Sequence, residues 1–138
     1  MRPVLYLFPL LLPCLLLAAC GTLSSPRAEF REAEQGFVRS LRWGDYQQAS
    51  HFLEGPYAER FRERFASLED LRITGVQADS QATGGDPRRM ETRLAIDYYQ
   101  LPSLTLQGRR LSVKWLYQGG DRWHPGQWRL VGPFPSFP

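Results

Sequence analysis

The spacing of apolar residues changes after Leu68, and this change constrains the fold of the chain more than any other feature of its sequence. Before Leu68, apolar residues recur every three to four positions, as on one face of an α-helix. After it they alternate with polar residues, as in a half-buried β-strand. Helices followed by strands are typical of an α+β domain. We therefore predict two or three N-terminal helices packed on a curved antiparallel sheet of about four strands.

Capping and stop signals divide the first half of the domain into three predicted helices. The first spans Arg27 to about Trp43 and ends at Gly44. Asp45, with Gln48 three residues later, has the form of a capping box that starts the second helix. We interpret Gly55-Pro56 as the stop of that helix. The predicted buried faces carry Phe30, Glu34, Phe37 and Leu41, then Tyr46, Ala49, Phe52 and Leu53, and finally Tyr57, Phe61 and Phe65.

Alternating patterns predict the strands of the second half. The first strand begins at Leu71 and is expected to end in a polar loop over 79–87. Two longer strands follow, with Met90, Thr92, Leu94, Ile96 and Tyr98 on one face, and then Leu111, Val113, Trp115 and Tyr117.

The last predicted strand contains Trp128, Leu130 and Phe134. If the loop before it turns at its middle, Tyr117 lies opposite Trp128 and Trp115 lies opposite Leu130. Such aromatic cross-strand pairs stabilise a sheet.

The N-terminus carries a targeting signal. Met1-Arg2 precedes an apolar run over 4–17, which is shorter than the roughly 20 residues of a membrane-spanning helix. Leu17-Ala18-Ala19-Cys20 follows, and the whole segment resembles the signal peptide of bacterial lipoproteins. An ordinary secretory cleavage site would instead need a small residue at position 17. The resemblance implies cleavage before Cys20, acylation of Cys20, and, because Gly21 follows, anchoring to the periplasmic face of a Gram-negative outer membrane.

This interpretation divides the chain into a signal peptide (1–19), a lipidated cysteine with a short tether (20–26), and one α+β domain (27–138). The chain has two cysteines, of which one leaves with the signal and the other carries lipid, so the mature domain has no thiol for a disulfide, a zinc site or catalysis. The net charge of +3 is too balanced to indicate nucleic acid as a partner.

The order of elements resembles the cystatin-like and NTF2-like superfamily, a cone-shaped fold with helices laid in a curved sheet. The run Leu41-Arg42-Trp43-Gly44-Asp45-Tyr46 is also similar to the helix–helix junction of small uncharacterised bacterial lipoproteins with this layout. Enzymes of the NTF2-like group work with an Asp, Tyr or His inside the cone, which makes those residue types in this chain worth testing.

No candidate for catalysis is favoured by its position in the pattern. Asp97 shares a strand face with Arg93 and lies opposite the apolar face, so it is expected to point to solvent and pair with Arg93. His51 lies away from the apolar stripe of its helix, and His124 lies in a turn. No metal-ligand spacing and no nucleotide-binding or nucleophile motif is present in the sequence. We therefore predict no catalytic residue, no metal site and no cofactor.

Aromatic residues offer two alternatives, since they either fill the core or line a pocket for a small apolar ligand in the cone. The C-terminal tail also has two alternatives: Phe134 and Phe137 fold back onto the domain or are offered to a partner. The candidate pocket residues are Trp43, Tyr46, Tyr57, Tyr98, Trp115 and Trp128.

The function expected from these features is that of a non-enzymatic binding module of the cell envelope, held at the membrane by its acylated N-terminus. Its expected partner is an envelope protein or a second copy of the chain. One alternative is a carrier or sensor of a small apolar ligand, and a second is an isomerase or dehydratase of the NTF2-like kind.

Overall fold

A computed structural model describes residues 25–120 and 126–138, and in these ranges helices are followed by a four-stranded antiparallel sheet. The predicted α+β class is confirmed. The helices are α1 (Pro26–Arg42), α2 (Tyr46–Ser50) and α3 (Gly55–Ala66), and the strands are β1 (Leu71–Ala82), β2 (Arg89–Gln100), β3 (Gln107–Gln118) and β4 (Gln127–Val131).

The helix boundaries follow from local chemistry. Gly44, with φ of 70°, ends the turn after α1, and Asp45 Oδ1 accepts a hydrogen bond of 2.9 Å from the backbone N–H of Gln48. The predicted start of α2 is therefore confirmed. Gly55-Pro56 was assigned wrongly, because these two residues begin α3 and α2 has already ended at Ser50. Proline suits the first helical turn because its missing N–H is not needed there.

The strands are arranged in the order β1-β2-β3-β4, and each pairs with the next along the chain. The predicted cross-strand pairs of the last hairpin are confirmed, since Tyr117 lies opposite Trp128 and Trp115 lies opposite Leu130. The last strand, β4, ends at Val131, so the prediction that it includes Phe134 is wrong.

The first strand is longer than predicted. Residues 79–82, expected to be loop, continue β1 to Ala82, where Asp79 lies opposite Arg93 and Ala82 opposite Met90. The polar sequence was misleading because this end of β1 lies at the edge of the sheet and is largely exposed. Backbone pairing with β2 therefore determines its length, and burial does not.

The helices and the C-terminal tail cover one face of the sheet and form a single aromatic-rich core. Phe134 contacts Phe61 with ring centroids 5.2 Å apart, and Phe137 contacts Tyr98 at 4.7 Å. The tail thus folds back onto the domain, as one of the two alternatives predicted. The buried apolar residues include Phe30, Phe37, Leu41, Ala49, Leu53, Phe61, Phe65, Leu71, Leu94, Ile96, Tyr98, Val113, Trp115, Trp128, Leu130, Phe134 and Phe137.

The two edges of the sheet differ in what covers them. The outer edge of β4 is paired with the segment 52–54: Leu130 N–H donates to the Phe52 carbonyl at 2.7 Å, and Glu54 N–H donates to the Leu130 carbonyl at 3.2 Å. Between Val76 and Ala82, the outer edge of β1 receives no such backbone partner from the described part of the chain.

Within residues 25–120 and 126–138, no helix has the length and apolarity needed to cross a bilayer.

Candidate functional site

The six aromatic residues considered for a ligand pocket lie in different parts of the domain. Tyr98, Trp115 and Trp128 are buried in the core, whereas Trp43 is 79% exposed on the turn after α1. The remaining two, Tyr46 and Tyr57, are half-buried on the helical layer. The six side chains therefore do not surround one opening.

The space where a ligand would lie against the helix-facing side of the sheet is filled by protein side chains. Trp115 is 1% exposed, and its ring meets those of Phe30 and Phe37 edge to face, with centroids 5.7 Å away in both contacts. Phe52 approaches the same indole at 6.4 Å. Edge-to-face packing at these distances is favourable beyond the area it buries. Of the two alternatives, core packing describes Trp115.

A cluster of polar side chains lies between α1 and the sheet, and sequence reasoning missed it. Thr92 is fully buried; its hydroxyl donates to Glu34 Oε1 at 3.0 Å and accepts the indole N–H of Trp115 at 3.0 Å. Ser80 completes the cluster, because its hydroxyl donates to the Glu34 carboxylate and lies 2.5 Å from the Thr92 hydroxyl. We call Glu34, Ser80, Thr92 and Trp115 the polar clamp.

The polar clamp satisfies the hydrogen-bonding groups of its own members, which is what a buried polar group requires to avoid a desolvation cost. It joins one helix to three strands. The sequence placed Glu34 on the buried face of α1, but its partners depend on the register that sets Ser80 opposite Thr92. No short sequence motif encodes that register.

A surface groove of about 720 Å³ runs between α1, α2 and β4. Phe52 and Trp128 contribute its apolar wall, and the rim carries charged and polar side chains. Arg129 spans part of the rim, because its guanidinium donates to the His51 carbonyl and to Gln127 Oε1. His51 is exposed, as expected from its helical position.

Glu29 contributes to the same groove and interacts with Tyr117 on β3. The hydrogen bond to the Glu29 carboxylate raises the pKa of the Tyr117 hydroxyl, and burial raises it further. At neutral pH this phenol is therefore held as a neutral donor. The contact ties the first turn of α1 to the end of β3.

Asp97 lies on the sheet face opposite the helices and is exposed, as predicted. Its carboxylate lies low between two glycines, since a Cβ placed on Gly75 or Gly108 would be 3.3 Å or 3.5 Å from its oxygens. The predicted ion pair with Arg93 is wrong: across the described ranges, the recorded ion pair joins Arg89 Nε to Asp86 at 3.4 Å. Arg93 and Asp97 are four positions apart on one strand, which separates them by about 13 Å at roughly 3.3 Å per residue, too far for an ion pair.

Two candidate residues, His124 and Cys20, lie outside the described residues. For the described part of the chain, no group of three or more His, Cys, Asp or Glu side chains is arranged to hold a metal ion.

The β2–β3 loop, residues 101–106, carries an unusual concentration of exposed leucine. Leu101, Leu104 and Leu106 are 37%, 74% and 63% exposed. We call this segment the leucine loop. Its first N–H, that of Leu101, donates to the Asp70 carbonyl at 3.1 Å, so the loop adjoins the start of β1. A single exposed leucine needs no explanation, but a cluster on one loop is typical of an interaction surface.

Comparisons with known proteins support the fold and add no activity. No family model matches the chain, and no curated protein matches it. A solved structure with a similar fold is that of a SEC-C motif containing protein from Psychrobacter arcticus, with a TM-score of 0.57 and 6% sequence identity. The match covers 78% of this chain and 61% of the other, so this chain spans about three-fifths of its structural neighbour. At this identity the likeness shows the fold alone.

Proposed function

We propose that this chain is a lipoprotein of the Gram-negative outer membrane whose NTF2-like or cystatin-like domain binds an envelope protein through the leucine loop, without catalysing a reaction. The proposal combines the N-terminal lipidation signal with the position of the exposed leucines. Pro26, at the start of α1, lies at one end of the sheet, and the leucine loop lies at the other.

The observation that carries this proposal is that the start of α1 and the leucine loop lie at opposite ends of the sheet. The Pro26 carbonyl, at the start of α1, accepts a hydrogen bond of 2.9 Å from Nε1 of Trp128, the second residue of β4. This end of the sheet also contains the β1–β2 turn, because Arg89 at the start of β2 lies opposite Leu116 near the end of β3. The leucine loop joins the other ends of β2 and β3.

The two ends of the sheet are separated by the length of its long strands. Strands of twelve residues are about 40 Å long at roughly 3.3 Å per residue. Cys20 lies six positions before Pro26, so an acyl anchor there would hold the end of the domain that contains the β1–β2 turn close to the bilayer. The leucine loop would then project into the periplasm, where a protein partner can reach it.

The filled core favours surface binding over the alternative of a small-ligand carrier. A carrier needs a cavity against the sheet, and Phe37 and Trp115 occupy that space with exposed fractions of 0% and 1%. The isomerase or dehydratase alternative needs an acid or base facing a cavity, and Asp97 lies on the opposite face of the sheet. A partner bound at the leucine loop requires neither.

Photo-crosslinking in cells tests the binding surface. A photoreactive phenylalanine analogue at Leu104 should give a discrete crosslinked band containing another envelope protein. The matched control carries the analogue at Thr83, which is exposed beside the β1–β2 turn at the other end of the sheet and should give no such band. Equal crosslinking from both positions, or none from Leu104, would refute the proposed surface.

Mass spectrometry of the mature N-terminal peptide tests the anchor independently. We expect a chain that begins at Cys20 and carries acyl groups. Replacement of Cys20 by alanine should abolish both the acyl groups and the cleavage before position 20, so that the chain keeps residues 1–19. An unmodified thiol at position 20, or a mature chain beginning elsewhere, would contradict the proposed location.

A further inference from the structure

We propose that the free edge of β1 pairs in antiparallel orientation with the same edge of a second copy of this chain, centred on Ala78, to give one continuous eight-stranded sheet. This inference concerns the edge of the sheet and does not depend on the leucine loop or on lipidation. The segment that pairs is Val76–Ala82, which we call the open edge.

The hydrogen bonds already present determine which backbone groups of the open edge point outwards. Thr83 N–H donates to the Arg89 carbonyl at 3.0 Å, so position 83 bonds towards β2. Backbone groups alternate in direction along a strand, and after the bulge at 73–75 the odd-numbered residues of β1 therefore bond to β2. The N–H and C=O groups of even-numbered residues point away from the sheet. These residues are Val76, Ala78, Ser80 and Ala82.

The same alternation accounts for the opposite edge, which supports the assignment. Tyr117 N–H donates to the Arg88 carbonyl, so odd-numbered residues of β3 bond towards β2 and even-numbered ones towards β4. Leu130 of β4 is then directed outwards, and it bonds to the backbone of Phe52 and Glu54. The outer edge of β4 is thus closed by the chain itself, whereas the equivalent groups of the open edge receive no backbone bond within the described ranges.

Side-chain size on the open edge leaves room for another strand. Ala78 and Ala82 are small and exposed on the side that faces the helical layer, and Ser80 is half-buried beneath Glu34. The residues between them, Gln77 and Asp79, are exposed on the opposite face. Edge strands that resist pairing usually carry lysine, proline or a bulge. The open edge has no lysine or proline, and the bulge of β1 lies before it, between Ile73 and Gly75.

The charges near the open edge distinguish between the possible registers in which two copies could pair. Outward-facing residues must pair with one another, and at least three such pairs form within Val76–Ala82 when the two-fold axis passes through position 78, 79 or 80 of each copy. Centring at 79 sets Asp79 directly opposite Asp79 of the second copy, which is destabilising. Centring at 80 sets Ser80 against Ser80 and thereby brings the two Glu34 carboxylates that bond to them towards each other.

Centring at 78 avoids both conflicts. Ala78 lies opposite Ala78, Val76 lies opposite Ser80, and Asp79 lies opposite Gln77, whose amide can donate to the carboxylate. Three hydrogen-bonded pairs then form, each with two N–H···O bonds. The paired segment is short, so we expect an association that rises with concentration and not a permanent dimer.

Cysteine crosslinking tests both the pairing and its register. The full-length chain, with Cys14 and Cys20 replaced by serine and purified in mild detergent, has a single thiol when Ala78→Cys is introduced. Hydrogen-bonded antiparallel partners have Cα atoms about 5.5 Å apart, which lies within the span of a disulfide. Ala82→Cys is the matched control, because it is exposed on the same face of the same strand, yet its two copies would be eight residues apart in this register.

We expect the Ala78→Cys chain to form a disulfide-linked dimer under mild oxidation at least tenfold faster than the Ala82→Cys chain. Equal rates would indicate random collision and would overturn the proposal, as would crosslinking at position 82 alone or at neither position. Circular dichroism of both variants checks that the fold is retained.

A second measurement needs no substitution in the strand. Hydrogen exchange of the unaltered chain should slow with rising protein concentration at the outward amides of Val76, Ala78 and Ser80. The amides of Gln77 and Asp79, which already bond to β2, should not change. Exchange at the outward amides that is independent of concentration would show that the edge stays open, or serves a different partner, and would overturn self-pairing.

Discussion

The indole N–H of Trp115 donates a hydrogen bond of 3.0 Å to the hydroxyl of Thr92, and both side chains are almost completely buried. Thr92 in turn donates to Glu34 on α1. A single hydroxyl thus connects a tryptophan of the core to the helix that covers it. Removing that hydroxyl leaves the indole N–H of Trp115 without an acceptor, whereas Glu34 keeps its hydrogen bond from Ser80.

Thr92→Val is therefore expected to destabilise the domain although it preserves side-chain shape. The indole N–H would remain buried without an acceptor, which costs about 1–3 kcal/mol. Urea unfolding should show a lower midpoint with an unchanged slope. Thr83→Val is the control, because Thr83 is exposed after the end of β1 and its replacement should change stability by no more than about 0.5 kcal/mol. Equal midpoints for the two variants would contradict the importance of the polar clamp.

The polar clamp also shows where sequence reasoning reached its limit. Period and capping signals were sufficient to predict α1, the start of α2 at Asp45, and the pairing of Trp115 with Leu130. These features depend on contacts between residues close in the chain or on one hairpin. The link from Glu34 to Ser80 depends on how the helix lies on the sheet, which no local pattern specifies.

Two further differences have the same origin. The polar end of β1 was predicted to be a loop. It is a strand without apolar alternation, because a strand at the edge of a sheet need not bury either face there. Trp43 was expected to line a pocket or to pack in the core, yet it lies on the turn after α1 and is largely exposed. Composition indicated an aromatic core correctly but could not say which aromatic residue would remain outside.

The C-terminal tail is expected to be necessary for stability. Phe137 is 2% exposed and packs against Tyr98 and Phe65, with centroid distances of 4.7 Å and 6.3 Å. Phe137→Ala should lower the free energy of unfolding by about 3–5 kcal/mol, as for other buried aromatic residues. Ser136→Ala, at an exposed neighbouring position, is the control and should have little effect. A small loss for Phe137→Ala would mean that the tail is not held against the core in solution.

The cap at Asp45 gives a more modest and more specific effect. Its carboxylate accepts the Gln48 N–H, so Asp45→Ala should cost about 0.5–2 kcal/mol. Asp45→Asn keeps a side-chain oxygen at the cap and should retain most of the stability. Thermal unfolding of the three proteins distinguishes capping from a general effect of charge. If Asn and Ala were equally destabilising, the charge of Asp45 and not its capping bond would be responsible.

The contact between Tyr117 and Glu29 predicts a dependence of stability on alkaline pH. The hydrogen bond to Glu29, followed by burial, raises the pKa of Tyr117 in the folded protein above its unfolded value of about 10. The folded state therefore holds this proton more tightly than the unfolded state. The resulting stabilisation is fully present below pH of about 10 and is lost as pH rises through the folded pKa.

Tyr117→Phe removes this titration, so the stability of the variant should fall less steeply above pH 10 than that of the unaltered protein. Tyr46, whose pKa is raised chiefly by burial, remains in both proteins and contributes the same residual slope. Chemical unfolding at several alkaline pH values gives the comparison. Glu29→Gln provides a separate check, because loss of the carboxylate acceptor should lower the pKa of Tyr117 towards its ordinary value in an absorbance titration of tyrosinate. A tyrosinate titration unaffected by Glu29→Gln would show that burial, and not the hydrogen bond, raises this pKa.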